Sequence, residues 1–409
     1  MKLHLSAPPS NFLNSKIQIT GSKSESNRLL LLQALYPNIS IENLSNSDDA
    51  QVMQKGLKVQ NGVVDIHHAG TAMRFLTGYF ASQEGKEVVL TGSKRMTERP
   101  VKILVEALRS LGCDITYQKD EGYPPITIKG RKITKSKVSL PADVSSQYIS
   151  SLLLIAASLQ KGLELELVGK ITSVPYIQMT LGLLNGVGIE TTFEGNSIKI
   201  APKSNIDATN LVVESDWSSA SYFYSIVALA EVGTEITLSA YKKDSLQGDS
   251  VLSEIYTQFG VATTFENNTI VLRKIENEQL STITCALQDA PDIAQTIAVT
   301  CFGLGIGCHL TGLHTLKIKE TDRLEALHEE LSKLGAVISV TDNALTLKAG
   351  TTIKPDVAID TYNDHRMAMA FAPLALKTSI IINDAEVVSK SYPDFWNDLR
   401  KLQIQIEKL

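Results

Sequence analysis

The residues in this chain that could do chemistry stand where apolar helices are about to begin. Lys23, Ser24 and Arg28 open "GSKSESNRLLLLQAL", and Gly70, Thr71 and Arg74 open "GTAMRFLTGYFA". Ser145, Ser146 and Gln147 open "SSQYISSLLLIAAS", Asp292 opens "PDIAQTIAVTCFG", and His365 and Arg366 open "NDHRMAMAFAPLAL". Between these lie "GSKRMTERP" with Arg95 and Arg99, "KIKETDR" with Lys319, Glu320 and Arg323, and "SKSYPDF" with Lys390. The positive end of a helix dipole disfavours cations, but its exposed N–H groups and nearby Lys or Arg together suit an anion. The chemistry this pattern serves is binding of one very highly charged ligand, or of two phosphorylated ligands together.

Taken singly, each position has a plainer reading. Ser, Thr and Asp at helix starts are ordinary caps. Asp322 beside Arg323 reads equally as a surface pair with Lys319, worth about 0.5 kcal/mol. "TERP" reads as a polar turn before Pro100 starts a helix. It is the recurrence of Lys23, Arg28, Arg74, Arg95, Arg99, Lys319, Arg323, Arg366 and Lys390 at equivalent points that favours a common ligand.

Those points are equivalent because the chain repeats. A polar turn followed by an apolar helix occurs six times, the fourth being "SSASYFYSIVALA" from Ser218. Each is followed by an amphipathic helix, a glycine and an alternating strand, as in "ILVEALRSLGCDITY" and "LHEELSKLGAVISV", with weaker forms at "VMQKGLKVQ" and "FWNDLRKLQIQI". The glycines at 112, 188, 260 and 335 are spaced by 76, 72 and 75 residues and fit helix C-caps with positive φ. Six units of two helices and short strands make an α/β protein of two similar domains, three units to each. The break falls near "VVESDWSSASY", so the domains are expected at 21–214 and at 1–20 plus 215–409. The segment around Ile17–Ile19 is expected to complete the second. Helices apolar all round should be central, with N-termini pointing to a common interdomain cleft; charged ones such as "HEELSKLG" should face solvent.

Composition narrows the partners. The net charge of -5 argues against nucleic acid and requires any anion site to come from local clustering. No apolar run nears the roughly 20 residues that span a bilayer, and the N-terminal stretch lacks a signal-peptide core. Cys113, Cys285, Cys301 and Cys308 lack paired spacing and read as buried thiols of a cytoplasmic protein. The histidines match no zinc motif, and His67 and His68 would point apart on a strand. No metal and no cofactor are expected.

The stretches "GSKSESNR", "HAGTAMR", "RMTERP", "SSQY", "SVPY", "PDIAQT", "KIKETDR", "NDHRMAM" and "SKSYPDF" closely resemble, in order along almost the whole chain, the 5-enolpyruvylshikimate-3-phosphate synthase family. The resemblance implies two domains of three βαβαββ units each, an inside-out α/β barrel with buried parallel helices. It also implies transfer of the enolpyruvyl group of phosphoenolpyruvate to the 5-hydroxyl of shikimate 3-phosphate, on the route to chorismate and the aromatic amino acids. The shikimate 3-phosphate contacts it implies are Lys23, Ser24, Arg28, Ser145, Ser146, Gln147, Ser173, Tyr176, Asp292, Thr315 and Lys319. For phosphoenolpyruvate they are Lys23, Gly70, Arg99, Gln147, Arg323, Arg366 and Lys390.

By the same resemblance Asp292 is the base on the hydroxyl, oriented by Lys319. Glu320 is the acid at the methylene carbon, flanked by Lys319, and Lys23 assists phosphate departure. Ligands drawn from both halves imply closure about a hinge near residues 20 and 214. The family expectation is a monomer, and Gly70 implies sensitivity to glyphosate. His68, Phe75, Thr315 and Glu25 depart from the family pattern. The alternatives are the sister transferase acting on UDP-N-acetylglucosamine, whose reactive cysteine is missing from "GSKRMTERP", and a non-catalytic binder of phosphorylated metabolites.

Overall fold

A computed structural model describes residues 1–143, 145–171, 174–278, 280–350 and 352–409. They form two compact units, Gly21–Val213 and Met1–Thr20 together with Glu214–Leu409. Glu214 belongs to the second because its buried carboxylate accepts from Trp217 Nε1 (2.8 Å), the Lys242 N–H (2.9 Å) and Ser245 Oγ (2.6 Å).

In the Gly21–Val213 unit, strand Gly62–Asp65 pairs parallel with Glu87–Thr91, which continues antiparallel to Ile126–Lys129 and then Asp114–Tyr117. Lys137–Pro141, Leu163–Val168, Ser197–Ile200 and Thr191–Glu194 repeat that order. Among the described residues the third sheet holds only Ile39–Glu42 and Thr209–Val212, in parallel. The first repeat therefore lacks the antiparallel hairpin of the βαβαββ pattern. Its amphipathic helix ends at Leu57 and the next strand begins at Gly62, which leaves no chain for a hairpin.

The other unit has three four-stranded sheets of the same order. The N-terminal segment completes two of them. Asn14–Ile17 pairs parallel with Glu235–Ser239, and Leu3–Ser6 lies antiparallel between Ile380–Ile382 and Gln405–Lys408.

The six first helices are buried for the reason their composition gives: no face is polar enough to meet water. Residues 70–81 of helix Gly70–Ser82 and all of Trp217–Leu229 are buried. Helix Gly70–Ser82 packs on Ser146–Ala156, and Ala294–Leu304 packs between Trp217–Leu229 and His365–Phe371. Each buried Leu or Phe contributes about 1.5–3 kcal/mol. Hydroxyls inside these bundles find partners, as where Thr300 Oγ1 donates to Thr296 O (2.7 Å) and Ser221 meets Thr296 (3.0 Å).

Amphipathic helices such as Lys102–Ser110 and Arg323–Leu334 bury one stripe only. The four repeat glycines take the left-handed φ expected of them, 100°, 78°, 69° and 105°. The four cysteines are buried and unbridged. No helix among the described residues is long and apolar enough to cross a membrane.

Candidate active site

Each unit gathers its polar residues at the starts of its three buried helices. In Gly21–Val213, helix Lys23–Leu35 is capped by Ser22, and the Lys23 ammonium sits 3.5 Å from Asp49. Arg28, one turn in, is buried at 2% exposure. Its Nε donates to Thr180 Oγ1 (2.8 Å), Nη1 to the Ser24 carbonyl (2.8 Å), and Nη2 to Ser150 Oγ (3.1 Å) and the Tyr176 carbonyl (3.4 Å). The guanidinium lies 5.4 Å from the Phe75 ring centroid and 6.0 Å from that of Tyr176. Burial pulls the Arg28 pKa down to about 10.

Helix Ser146–Ala156 is capped by Ser145, and Gln147 Nε2 donates to Thr71 Oγ1 (3.2 Å) at the start of Gly70–Ser82. Arg74 is also buried; it donates to the Gly70 carbonyl (3.1 Å) and the Pro100 carbonyl (3.0 Å). Its pKa is pulled down to about 10, by burial first and then by Arg99. A Cβ on Gly70 would stand 2.7 Å from Arg99 Nη1, so only glycine admits that guanidinium so close. Arg74 rests on neutral carbonyls, and the charge of the buried Glu25 acts on Arg28, raising its pKa against the larger effect of burial. Burying cations on neutral acceptors is unfavourable unless an anion joins them.

The other unit sets cations among acids. Asp292 lies in the short 3-10 turn leading into helix Ala294–Leu304. Its carboxylate accepts from Arg323 Nη1 (2.8 Å) and Arg366 Nη2 (3.1 Å), with the Lys319 ammonium at 3.4 Å. Burial opposes its ionised form, but Arg366, Lys319 and Arg323 together hold it well below the usual carboxylate range. Arg323, fully buried at its helix start, also donates to Glu320 (2.8 Å) and to Asp364 through Nε (2.7 Å). Lys390 donates to the Asn363 carbonyl (2.6 Å) and side chain (3.0 Å). The Thr315 hydroxyl oxygen is buried without a hydrogen-bond partner among the described residues.

The structure sorts the sequence-derived candidates. Lys23, Ser24, Arg28, Gly70, Arg99, Ser145, Ser146, Gln147 and Tyr176 gather in one unit; Asp292, Lys319, Glu320, Arg323 and Arg366 form one network in the other. Ser173 lies outside the described residues. Arg95 is apart from its cluster, a surface pair with Glu98 (3.3 Å) at 64% side-chain exposure. Lys319 meets Asp292, and Glu320 takes Arg323 as its hydrogen-bonded cation. Asp322 caps its helix, accepting from the Leu324 and Glu325 N–H groups, as its plainer reading allowed. His67 and His68 do not point apart. A turn with His67 at φ 50° brings their Nδ1 atoms to 2.8 Å.

Sequence reasoning missed Asp49, Asp364, Ser218 and Asp249. Asp364 was within reach, since it directly precedes His365 and caps that helix. Asp49 and Asp249 carry no local signal, because only the fold brings them to Lys23 and Ser218.

The fold is shared with solved structures. An EPSP synthase from Acinetobacter baumannii superimposes with a TM-score of 0.83 over 100% of both chains at 22% identity. The enolpyruvyl transferase NikO from Streptomyces tendae gives 0.74 over 99% of this chain and 98% of that one, at 13% identity. The fold is thus that of the two-unit α/β enolpyruvyl transferase architecture. Sequence is more specific. The family model for EPSP synthase (3-phosphoshikimate 1-carboxyvinyltransferase) matches residues 57–399. A 3-phosphoshikimate 1-carboxyvinyltransferase of Bacteroides fragilis is 44% identical over 98% of each chain, and one of Photobacterium damsela subsp. piscicida is 35% identical over 97% of this chain and 99% of that one. The chain belongs to the EPSP synthase family.

Proposed function

We propose that this protein transfers the enolpyruvyl group of phosphoenolpyruvate to the 5-hydroxyl of shikimate 3-phosphate and releases phosphate. The observation that carries the reading is Asp292, a carboxylate kept ionised by three cations at a buried helix start, with Glu320 sharing one of them. The two substrates together bring roughly five or six negative charges near neutral pH. The cluster around Arg28, Arg74 and Arg99 suits their phosphate and carboxylate groups, and guanidinium forks bind both through paired hydrogen bonds.

In this reading Asp292 takes the proton of the 5-hydroxyl as its oxygen bonds to C2 of phosphoenolpyruvate, while Glu320 gives a proton to the methylene carbon. The tetrahedral adduct then loses phosphate, assisted by Lys23, and Glu320 recovers the proton from the methyl group. A carboxylate held so far below neutrality is a weak base. Substrate anions that draw on Arg366, Arg323 and Lys319 leave less positive charge on Asp292 and raise its proton affinity toward the useful range. Fixed cations stabilise the developing charge.

We further take the protein to act as a cytoplasmic monomer, a setting that four unbridged thiols suit. One assay tests the function: phosphate release from phosphoenolpyruvate with shikimate 3-phosphate, and separately with UDP-N-acetylglucosamine. Release with the first acceptor alone is expected. Release only with the second, or none with either, rejects the proposal.

A further inference from the structure

Arg366 Nη2 reaches two acceptors, Asp292 Oδ2 and Ser218 Oγ, each at 3.1 Å. Ser218 is the second residue of helix Trp217–Leu229, and its hydroxyl donates to the Asp249 carboxylate. Both are nearly inaccessible, Ser218 at 8% and Asp249 at 7% exposure. Neither has a part in the reaction as proposed above.

A serine hydroxyl has one proton and two acceptor sites. With its proton directed to Asp249, Ser218 can only accept from Arg366. Asp249 therefore sets the polarity of one of the two contacts, the other being Asp292, that hold Nη2 of Arg366 in place. The segment carrying Asp249 is anchored independently. Gln247 Oε1 accepts from the Trp217 N–H (3.0 Å), and its Nε2 donates to the Ser215 carbonyl (2.9 Å). Removing the Asp249 charge should thus disturb the relay more than the fold.

We propose that Asp249 is a positioning residue which, through the Ser218 hydroxyl, orients Arg366 for the anionic co-substrate. This rests on the assignment of Arg366 to phosphoenolpyruvate. The charges facing Asp249 are Asp292, Arg366 and Asp216; burial first, then Asp292, pushes its pKa up to about 6. Protonation would let Asp249 donate to Ser218 and free the serine proton, which loosens the hold on Arg366.

The test is steady-state kinetics of the full chain with both substrates, for Asp249→Asn, Ser218→Ala, Ser218→Thr and the Asp249→Asn/Ser218→Ala double variant. Each of the first two should raise KM for phosphoenolpyruvate about 10-fold, more than kcat falls, and leave KM for shikimate 3-phosphate within about twofold. Ser218→Thr keeps the hydroxyl and should restore most of the loss. The double variant should be no worse than the poorer single one, because both changes cut one relay. An unchanged KM for phosphoenolpyruvate in Ser218→Ala, or losses that multiply in the double variant, overturns the proposal. If Asp249→Asn does not fold, Ser218→Ala and Ser218→Thr decide alone. An inactive wild-type chain would instead overturn the proposed function.

Discussion

The Asp292 carboxylate and the Arg366 guanidinium meet at 3.1 Å, each side chain 12% exposed, across 74 residues of sequence. Lys319 and Arg323 approach the other carboxylate oxygen. The proposed base is thus surrounded by the cations proposed to bind substrate. In the Gly21–Val213 unit the Arg28 and Arg74 guanidiniums donate mainly to hydroxyl and carbonyl oxygens instead. That contrast suits a scheme in which both clusters hold substrate anions and only the second, with Asp292 and Glu320, also moves protons.

Asp292→Asn keeps the shape and removes the charge. The kcat for phosphate release should fall about 10²–10⁴-fold with KM values changed only a few-fold, the signature of lost general-base catalysis. A loss confined to KM would remove Asp292 from the chemistry.

Arg28→Lys replaces four directed hydrogen bonds with one mobile ammonium. KM for shikimate 3-phosphate should rise roughly 10-fold or more, with KM for phosphoenolpyruvate little altered. Equal changes in both would place Arg28 elsewhere in the scheme.

Gly70→Ala introduces a Cβ 2.7 Å from Arg99 Nη1. Arg99 must withdraw, so KM for phosphoenolpyruvate should rise about 10-fold while thermal stability changes little. Arg99→Lys in the same background should then cost less than it does in the parent.

The pH dependence of stability separates two acids. Asp249, raised to about 6 by burial and then by Asp292, binds its proton more tightly in the folded state. Its contribution therefore grows as pH falls from about 7 toward about 4, and urea midpoints should show this rise in the parent but not in Asp249→Asn. Asp292 works oppositely. Held well below 3.8, it contributes stability above that value and loses it only in stronger acid.

Phe302→Ala empties a position that is 1% exposed in the core of the unit that holds Asp292. The cost should be about 3–5 kcal/mol in urea unfolding, with pH profiles of surviving activity unchanged. A cost below about 1 kcal/mol would mean the core collapses onto the gap.

Much of the fold was legible because it is local. Apolar helices after polar turns, and glycine where φ must be positive, leave marks within a dozen residues, and Gly112, Gly188, Gly260 and Gly335 obey them. The missing hairpin of the first repeat leaves only a weak mark, the short run from Leu57 to Gly62, because its helix resembles those of the other repeats. Cations at helix starts pointed to most of the candidate residues that the fold brings together. Arg95 misled because a surface pair and a ligand share one sequence signature. Asp49 and Asp249 stayed invisible, since nothing near them marks a carboxylate as facing a distant cation.

The amino-acid sequence alone determined the repeating α/β units, the buried helices and the cation-rich starts, for these follow from periodicity and turn chemistry over short stretches. Tertiary structure alone decided the partners: Arg28 finds Thr180 across 152 residues, and Leu3–Ser6 joins strands at the far end of the chain. It also decided which acids keep their protons. Electrostatic energy depends on separation and burial, and both come into being only when the chain is folded.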